Sequence, residues 1–164
     1  MKTFSYFCFR MGKHLLTYLL FLWVGVMSGL AFVVQASPNF YFKQLSQQDG
    51  LPQNFVRSIM LDHNGFFWIG TSRGVSRFDR HEFKNYSAVP DSATSLPDNL
   101  IHFIVEDAQN NIWISTSKGV CVYQRKSDDF KRIRWGKRAL QAHSYMLTDD
   151  ALLLGGRGVI YRWD

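Results

Sequence analysis

The chain has 164 residues, of which 46% are hydrophobic and 20% charged, and its formal net charge is +6. Its two cysteines are too few for a disulfide framework. Three of the nineteen basic residues and none of the thirteen acidic ones fall in residues 1–36, so the remainder carries 16 basic against 13 acidic side chains, a net +3. That modest excess gives no support to a nucleic-acid partner.

Residues 1–36 hold Lys2, Arg10 and Lys13, then an uncharged apolar run from Leu15 to Val34, then Val34-Gln35-Ala36 ahead of Ser37 and Pro38. This order predicts a signal peptide cleaved after Ala36. An uncleaved signal anchor is the alternative, since about 20 apolar residues also span a bilayer core of about 30 Å. Both outcomes place the following residues outside the cytoplasm, with the basic end inside. Cys8 lies within this segment, which leaves Cys121 as a small buried hydrophobe. Residues 37–50 read as an N-terminal outer strand, Phe40 to Leu45, and a lead-in loop.

From Leu51 the chain repeats itself. Leu51 to Phe78 aligns with Leu96 to Tyr123 at a constant offset of 45, with eleven identities in twenty-eight positions, among them Asp62/Asp107, Trp68/Trp113 and Gly74/Gly119. A period of about 40 to 50 residues indicates propeller blades or helical arrays. Turn residues every six to ten positions exclude helices of ordinary length. The first unit, 51–95, predicts strands at Val56 to Leu61, Phe66 to Thr71, Val75 to Asp79 and Phe83 to Ser87. The second, 96–138, predicts Ile101 to Glu106, Ile112 to Thr116, Val120 to Arg125 and Phe130 to Arg134. Four short antiparallel strands make one blade. A degraded, incomplete third unit occupies 139–164, with Leu152, Leu153 and Leu154 in the slot of Trp113-Ile114-Ser115 and Arg157-Gly158-Val159 repeating Arg73-Gly74-Val75 and Lys118-Gly119-Val120, at an offset of 39 from the second unit. The fold class is thus all-β, a partial propeller of about three four-stranded blades behind an N-terminal hydrophobic helix.

The recurring residues have physical roles. Gly74, Gly119 and Gly158 close hairpins between the second and third strands of each unit. Gly155-Gly156-Arg157-Gly158 precedes no helix pattern and so is no phosphate loop. Trp68 and Trp113 fill the space between sheets, each worth at most roughly 4 to 6 kcal/mol from about 150 to 250 Å² of burial. Asn54 and Asn99, after the proline at each crossing between units, are expected to bond a backbone amide in an Asx turn.

Asp49-Gly50-Leu51-Pro52-Gln53-Asn54, then Asp62-His63-Asn64-Gly65-Phe66-Phe67-Trp68-Ile69-Gly70-Thr71 and Gly74-Val75, resembles the two-component regulator propeller repeat. The second unit departs from it at Ser95 and Asn110, and the third has lost its opening motif and tryptophan. The resemblance implies a bacterial periplasmic sensor region, in which many such repeats precede a sandwich domain, a membrane helix and a histidine kinase or diguanylate cyclase output. About three blades do not close a ring. The expectation is therefore a segment of a larger receptor, or else a freestanding periplasmic module that completes its propeller with blades from the same or another chain.

Catalysis finds no support. His63, His81, His102 and His143 lack a ligand spacing, Asp62-His63-Asn64-Gly65 is only the start of a calcium loop, and no nucleophile elbow is present. No catalytic residue, cofactor or metal is expected. In an up-and-down blade the crossing between blades and the second-to-third-strand turn emerge at one face. That rim gathers Asn54, Arg57 and Arg73, then Asn99, His102 and Lys118, then Arg157. The set suits an anionic or polyhydroxyl small molecule or oligosaccharide, and the plainer alternative is solvated turn residues.

Overall fold

The computed structural model describes residues 18, 21–23 and 41–164. The chain divides into two units, Met1–Phe42 and Lys43–Asp164. In the first, Tyr18 and residues 21–23 are helical. The rest of the predicted signal segment and its cleavage after Ala36 lie outside the described residues. Among the described residues no helix is long and apolar enough to cross a membrane.

The second unit is built from strands. A short 3-10 turn at Gln47–Asp49, capped by Ser46, precedes the first sheet. That sheet takes its strands in chain order, β1 Val56–Leu61, β2 Phe67–Thr71, β3 Gly74–Phe78 and β4 Phe83–Tyr86, all antiparallel. The second repeats the plan with β5 Ile101–Glu106, β6 Ile112–Thr116, β7 Gly119–Gln124 and β8 Asp129–Arg132. After a small hairpin of β9 Arg134–Trp135 and β10 Arg138–Ala139, the third sheet holds β11 Ser144–Leu147, β12 Leu152–Gly156 and β13 Val159–Trp163.

Alternation along each strand sends side chains to two faces, and both faces of the middle sheet are buried. On one, Ile101, Ile104, Ile112, Ile114, Cys121, Tyr123 and Phe130 meet Trp68 and Val75 of the first sheet. On the other, Phe103, Val105, Trp113 and Val120 meet Leu140, Ala142, Leu152 and Leu154. Gly70 shows how close the first two sheets approach, since a Cβ there would stand 2.6 Å from Ile101 Cγ2. Cys121 is wholly buried, and burial pushes its thiol pKa well up.

Trp68 on β2 and Trp113 on β6 each touch an aromatic ring of the next sheet, on β7 and β13 respectively. Trp68 meets Tyr123 with ring centroids 4.7 Å apart, and Trp113 meets Trp163 at 5.0 Å. Tyr123 pairs with Ile112 in its sheet, and Trp163 with Leu152. The two rings are therefore equivalent in position, and the third sheet matches the second at an offset of 40 rather than 39. Leu153, not Leu152, stands in the tryptophan slot.

Three further expectations are corrected. Residues 41–46 form no strand, so the outer strand read at Phe40 to Leu45 is absent over its described part. A strand needs a neighbouring ladder, and among the described residues none runs beside it; Leu45 instead packs on Leu51, Ile69 and Phe78. The span Phe130 to Arg134 is not one strand, because β8 ends at Arg132 and the chain turns into the β9–β10 hairpin. In the third sheet the β12–β13 turn is also of another kind. Thr71 pairs with Gly74 across Ser72-Arg73, with the glycine in the strand, whereas Gly156 pairs with Val159 and both turn residues, Arg157 (φ 47°) and Gly158 (φ 80°), are left-handed.

Candidate functional site

The turn aspartates organise the end of the sheets opposite the predicted rim. Asp62 Oδ1 accepts from the backbone amides of Asn64 (3.0 Å) and Phe66 (2.9 Å), while Oδ2 accepts from the Trp68 indole (3.0 Å) and from Arg125 (3.2 Å). Burial works to raise its pKa, but the bonds from Trp68, the Phe66 amide and Arg125 outweigh that and hold it low. Asp107 caps the corresponding turn of the second sheet, taking the amides of Gln109 and Asn111 on one oxygen and the Trp113 indole on the other. The left-handed turn residue is Gly65 (φ 84°) in the first and Asn110 (φ 64°) in the second, which is why asparagine replaces glycine there.

Polar bridges span the first two sheets at the same end. Arg125 also reaches Glu106 at 3.0 Å, and Glu106 accepts from the His63 amide at 2.9 Å. Asp128 Oδ1 takes the hydroxyls of Tyr123 (2.5 Å) and Tyr86 (2.6 Å), and its other oxygen meets Lys84. Arg77 donates to the Tyr123 hydroxyl at 2.7 Å. Burial opposes ionisation of Asp128, yet Lys84 and the two tyrosines bring its pKa down to about 2.

At the other end the loops meet as up-and-down topology requires. The Gly74 amide, at the β2–β3 turn, donates to Asn99 O in the crossing to the second sheet at 2.9 Å. Asn99 Oδ1 accepts from the Ala88 amide (2.7 Å) and Asn54 Oδ1 from the Gln47 amide (2.8 Å). Both bond backbone amides, but eleven and seven residues back, so they fasten loops together and are not local Asx turns. Arg57 Nε donates to Ile101 O at 2.8 Å. Arg73, Lys118 and Arg157 are exposed. Near Lys118, Asp98 accepts from the Asn99 amide (2.7 Å) and from Ser117, and these bonds hold its pKa low against burial.

The seven rim residues do not form one cluster. Arg73 and Asn99 adjoin through Gly74; Arg57 lies by Ile101 and His102. Arg157 instead shares a cleft of about 500 Å³ with Trp135, Arg138, Gln141 and Tyr161, built by the β9–β10 hairpin that the sequence reading lacked. His143, which that reading left out of the rim, packs on His102 with ring centroids 4.9 Å apart. The signal for it was its place at the start of the third unit's first strand, directly before β11, as His102 stands at the start of β5. Among the described residues no cluster of His, Cys, Asp and Glu has the arrangement to hold a metal ion.

Stacked antiparallel sheets of this order, with repeating contacts from one to the next, are consecutive blades of a β-propeller. The profile of the two component regulator propeller family matches residues 50–73 and 95–118, and the chain carries two copies of that repeat. Among solved structures, the extracellular domain of BT3049 from B. thetaiotaomicron, assigned to a hybrid two component system, is 24% identical with a TM-score of 0.58, over 68% of this chain and 17% of that one. The extracellular domain of BT4673 from the same organism, assigned to a one component system, is 22% identical with a TM-score of 0.59, over 77% of this chain and 19% of that one. At such identities the likeness speaks for the fold. The chain therefore spans less than a fifth of the length of either domain. A search of curated proteins gives no match.

Proposed function

We propose that this chain is a non-catalytic, ligand-sensing propeller segment of a membrane-bound signalling receptor, exported to the bacterial periplasm. The observation that carries the reading is the contact of the Gly74 amide with Asn99 O, which gathers turn and crossing loops at one rim. That rim presents the exposed cations Arg73 and Lys118, which suits recognition of an anionic or polyhydroxyl ligand. The likeness to extracellular domains of two component systems supports the location and the role in signalling. The output, a kinase or a cyclase, would lie elsewhere in the receptor. Replacing Arg73 and Lys118 together with alanine in the complete receptor is expected to shift the dose response to higher ligand concentration while leaving the folded fraction unchanged. An unaltered dose response would overturn the reading.

A second reading, a freestanding module that completes its propeller with other blades, is favoured by one observation. Ile59 (65% exposed) on the first sheet and Ile160 (75% exposed) on the third leave apolar side chains uncovered at both ends of the stack. A ring-sized oligomer of the native product in soluble periplasm would select it over the receptor segment.

A further inference from the structure

Arg57, His102 and His143 occupy one structural position in three successive sheets. Arg57 is the residue skipped in the β1–β2 ladder between the pairs Val56/Thr71 and Ser58/Gly70. His102 is skipped likewise between Ile101/Thr116 and Phe103/Ser115. His143 directly precedes Ser144, which pairs with Gly155, the counterpart of Gly70 and Ser115. A bulge leaves its extra residue out of the ladder and re-aims the side chain. The two bulges, and the place of His143 directly before β11, bring a guanidinium and two imidazoles into one row at the rim end of β1, β5 and β11.

The row is short of negative charge. Arg57 uses only Nε on Ile101 O, leaving its terminal nitrogens, and among the described residues none of the three side chains is in a salt bridge. His102 Nε2 is buried without a hydrogen-bond partner. The charged and titratable groups felt by His102 are His143 from the start of the third sheet, Arg57 from β1 and Asp98 from the crossing loop. Asp98 is occupied by Ser117 and the Asn99 amide. Burial first, then His143 and Arg57, press the His102 pKa below its ordinary value. A buried, unpaired imidazole nitrogen beside an incompletely used guanidinium is a donor set lacking its acceptor.

We propose that Arg57, His102 and His143 form a proton-linked oxyanion site, which takes a sulfate or carboxylate group on the guanidinium and the protonated imidazoles. The ligand's shared chemistry is one oxyanion, either a free ion or the acidic end of a polyhydroxyl compound. A bound anion raises the proton affinity of an imidazole it contacts, so affinity rises as the solution is made more acid. The inference rests on the rim reading above and names the ligand class for part of that rim.

The test is calorimetric titration of the full chain with sodium sulfate, which keeps its charge through the range, at constant ionic strength and at about pH 5.5, 6.5 and 7.5. Affinity is expected to rise with acidity by up to about tenfold per pH unit for each linked proton. Arg57→Ala is expected to weaken binding at the lowest pH by about tenfold or more. His102→Asn perturbs a partly buried side chain, so His143→Ala, at an exposed position, serves as the second variant and is expected to flatten the pH dependence. Lys126→Ala, on the opposite end of the second sheet, is the control and leaves affinity unchanged. Sodium gluconate in parallel sorts the sources: tighter binding than sulfate assigns the acidic end of a polyhydroxyl ligand, weaker binding a free ion. Absence of saturable binding of either anion, an affinity independent of pH, or one indifferent to both Arg57→Ala and His143→Ala would overturn the site. Because the anion is added directly to the chain, that failure leaves the receptor dose response of Arg73 and Lys118 as a separate test.

Discussion

The indole of Trp113 donates to Asp107 Oδ2 at 2.7 Å, across a turn of which the same aspartate's other oxygen caps two amides. One carboxylate thus fixes both the β5–β6 turn and the ring that fills the space toward the third sheet. Asp107 is only 6% exposed, so its loss leaves buried donors unpaired. Asp107→Ala is expected to destabilise the chain by about 2 to 4 kcal/mol. Urea unfolding followed by tryptophan fluorescence checks it, and a loss below about 0.5 kcal/mol would remove this role. Trp113→Phe keeps much of the ring volume and should cost less.

Acid should unlock the first two sheets. Asp62 and Asp128 both have folded-state pKa values below the ordinary 3.8, Asp128 at about 2. Groups depressed on folding stabilise the fold above their unfolded pKa, and that contribution is lost as pH falls through the folded value. Stability is therefore expected to drop between about pH 4 and pH 2. Asp128→Asn should flatten that limb of the curve of midpoint denaturant against pH. A variant with the same acid slope as the parent would show the Lys84, Tyr86 and Tyr123 contacts to be without weight.

His102 gives a second, milder pH dependence. Its folded pKa lies below the ordinary 6.5, held there by burial and then by His143 and Arg57. Below its unfolded pKa the unfolded chain binds the proton more readily, so stability falls as pH drops from about 6.5 toward the folded value. His102→Asn removes this step. Thermal midpoints at about pH 7 and pH 5.5, without added sulfate, report it as a smaller difference in the variant.

Two turn glycines separate crowding from backbone strain. A Cβ on Gly74 (φ 115°) would stand 2.2 Å from Tyr86 O, whereas Gly65 (φ 84°) has nothing within 4 Å. Gly65→Ala should cost about 1 kcal/mol from left-handed strain alone, and Gly74→Ala about 3 kcal/mol or more. Equal losses would show that the β2–β3 turn moves away from β4 to make room.

Strand positions in the first two units were legible because turn residues and the offset of 45 bracket them. The residues of the Asp62 to Trp68 and Asp107 to Trp113 bonds were both visible as repeats. Their bond was not, since it joins a turn carboxylate to a strand ring through a contact no spacing rule describes. The third unit lacks both partners: Thr148 Oγ1 accepts from the Ala151 amide where the aspartate would cap, and Leu153 stands for the tryptophan. With those anchors gone, matching Gly158 to Gly74 displaced the register by one. The rim was legible as topology, since loop order alone puts Asn99 beside Gly74. Its subdivision was not, because the placing of Arg157 depends on the β9–β10 hairpin and the pairing of His102 with His143 on ladder irregularities.

The ring contacts of Trp68 with Tyr123 and of Trp113 with Trp163 each join one sheet to the next and no further. Cooperativity in such a stack runs along a line, each member answering only to its neighbours. Melting that begins at the third sheet, where Val159, Ile160 and Trp163 are exposed, would advance inward one sheet at a time. Trp113 would then lose its quenching neighbour while Trp68 kept its own, so the two indoles form a built-in gauge of how far fraying has travelled.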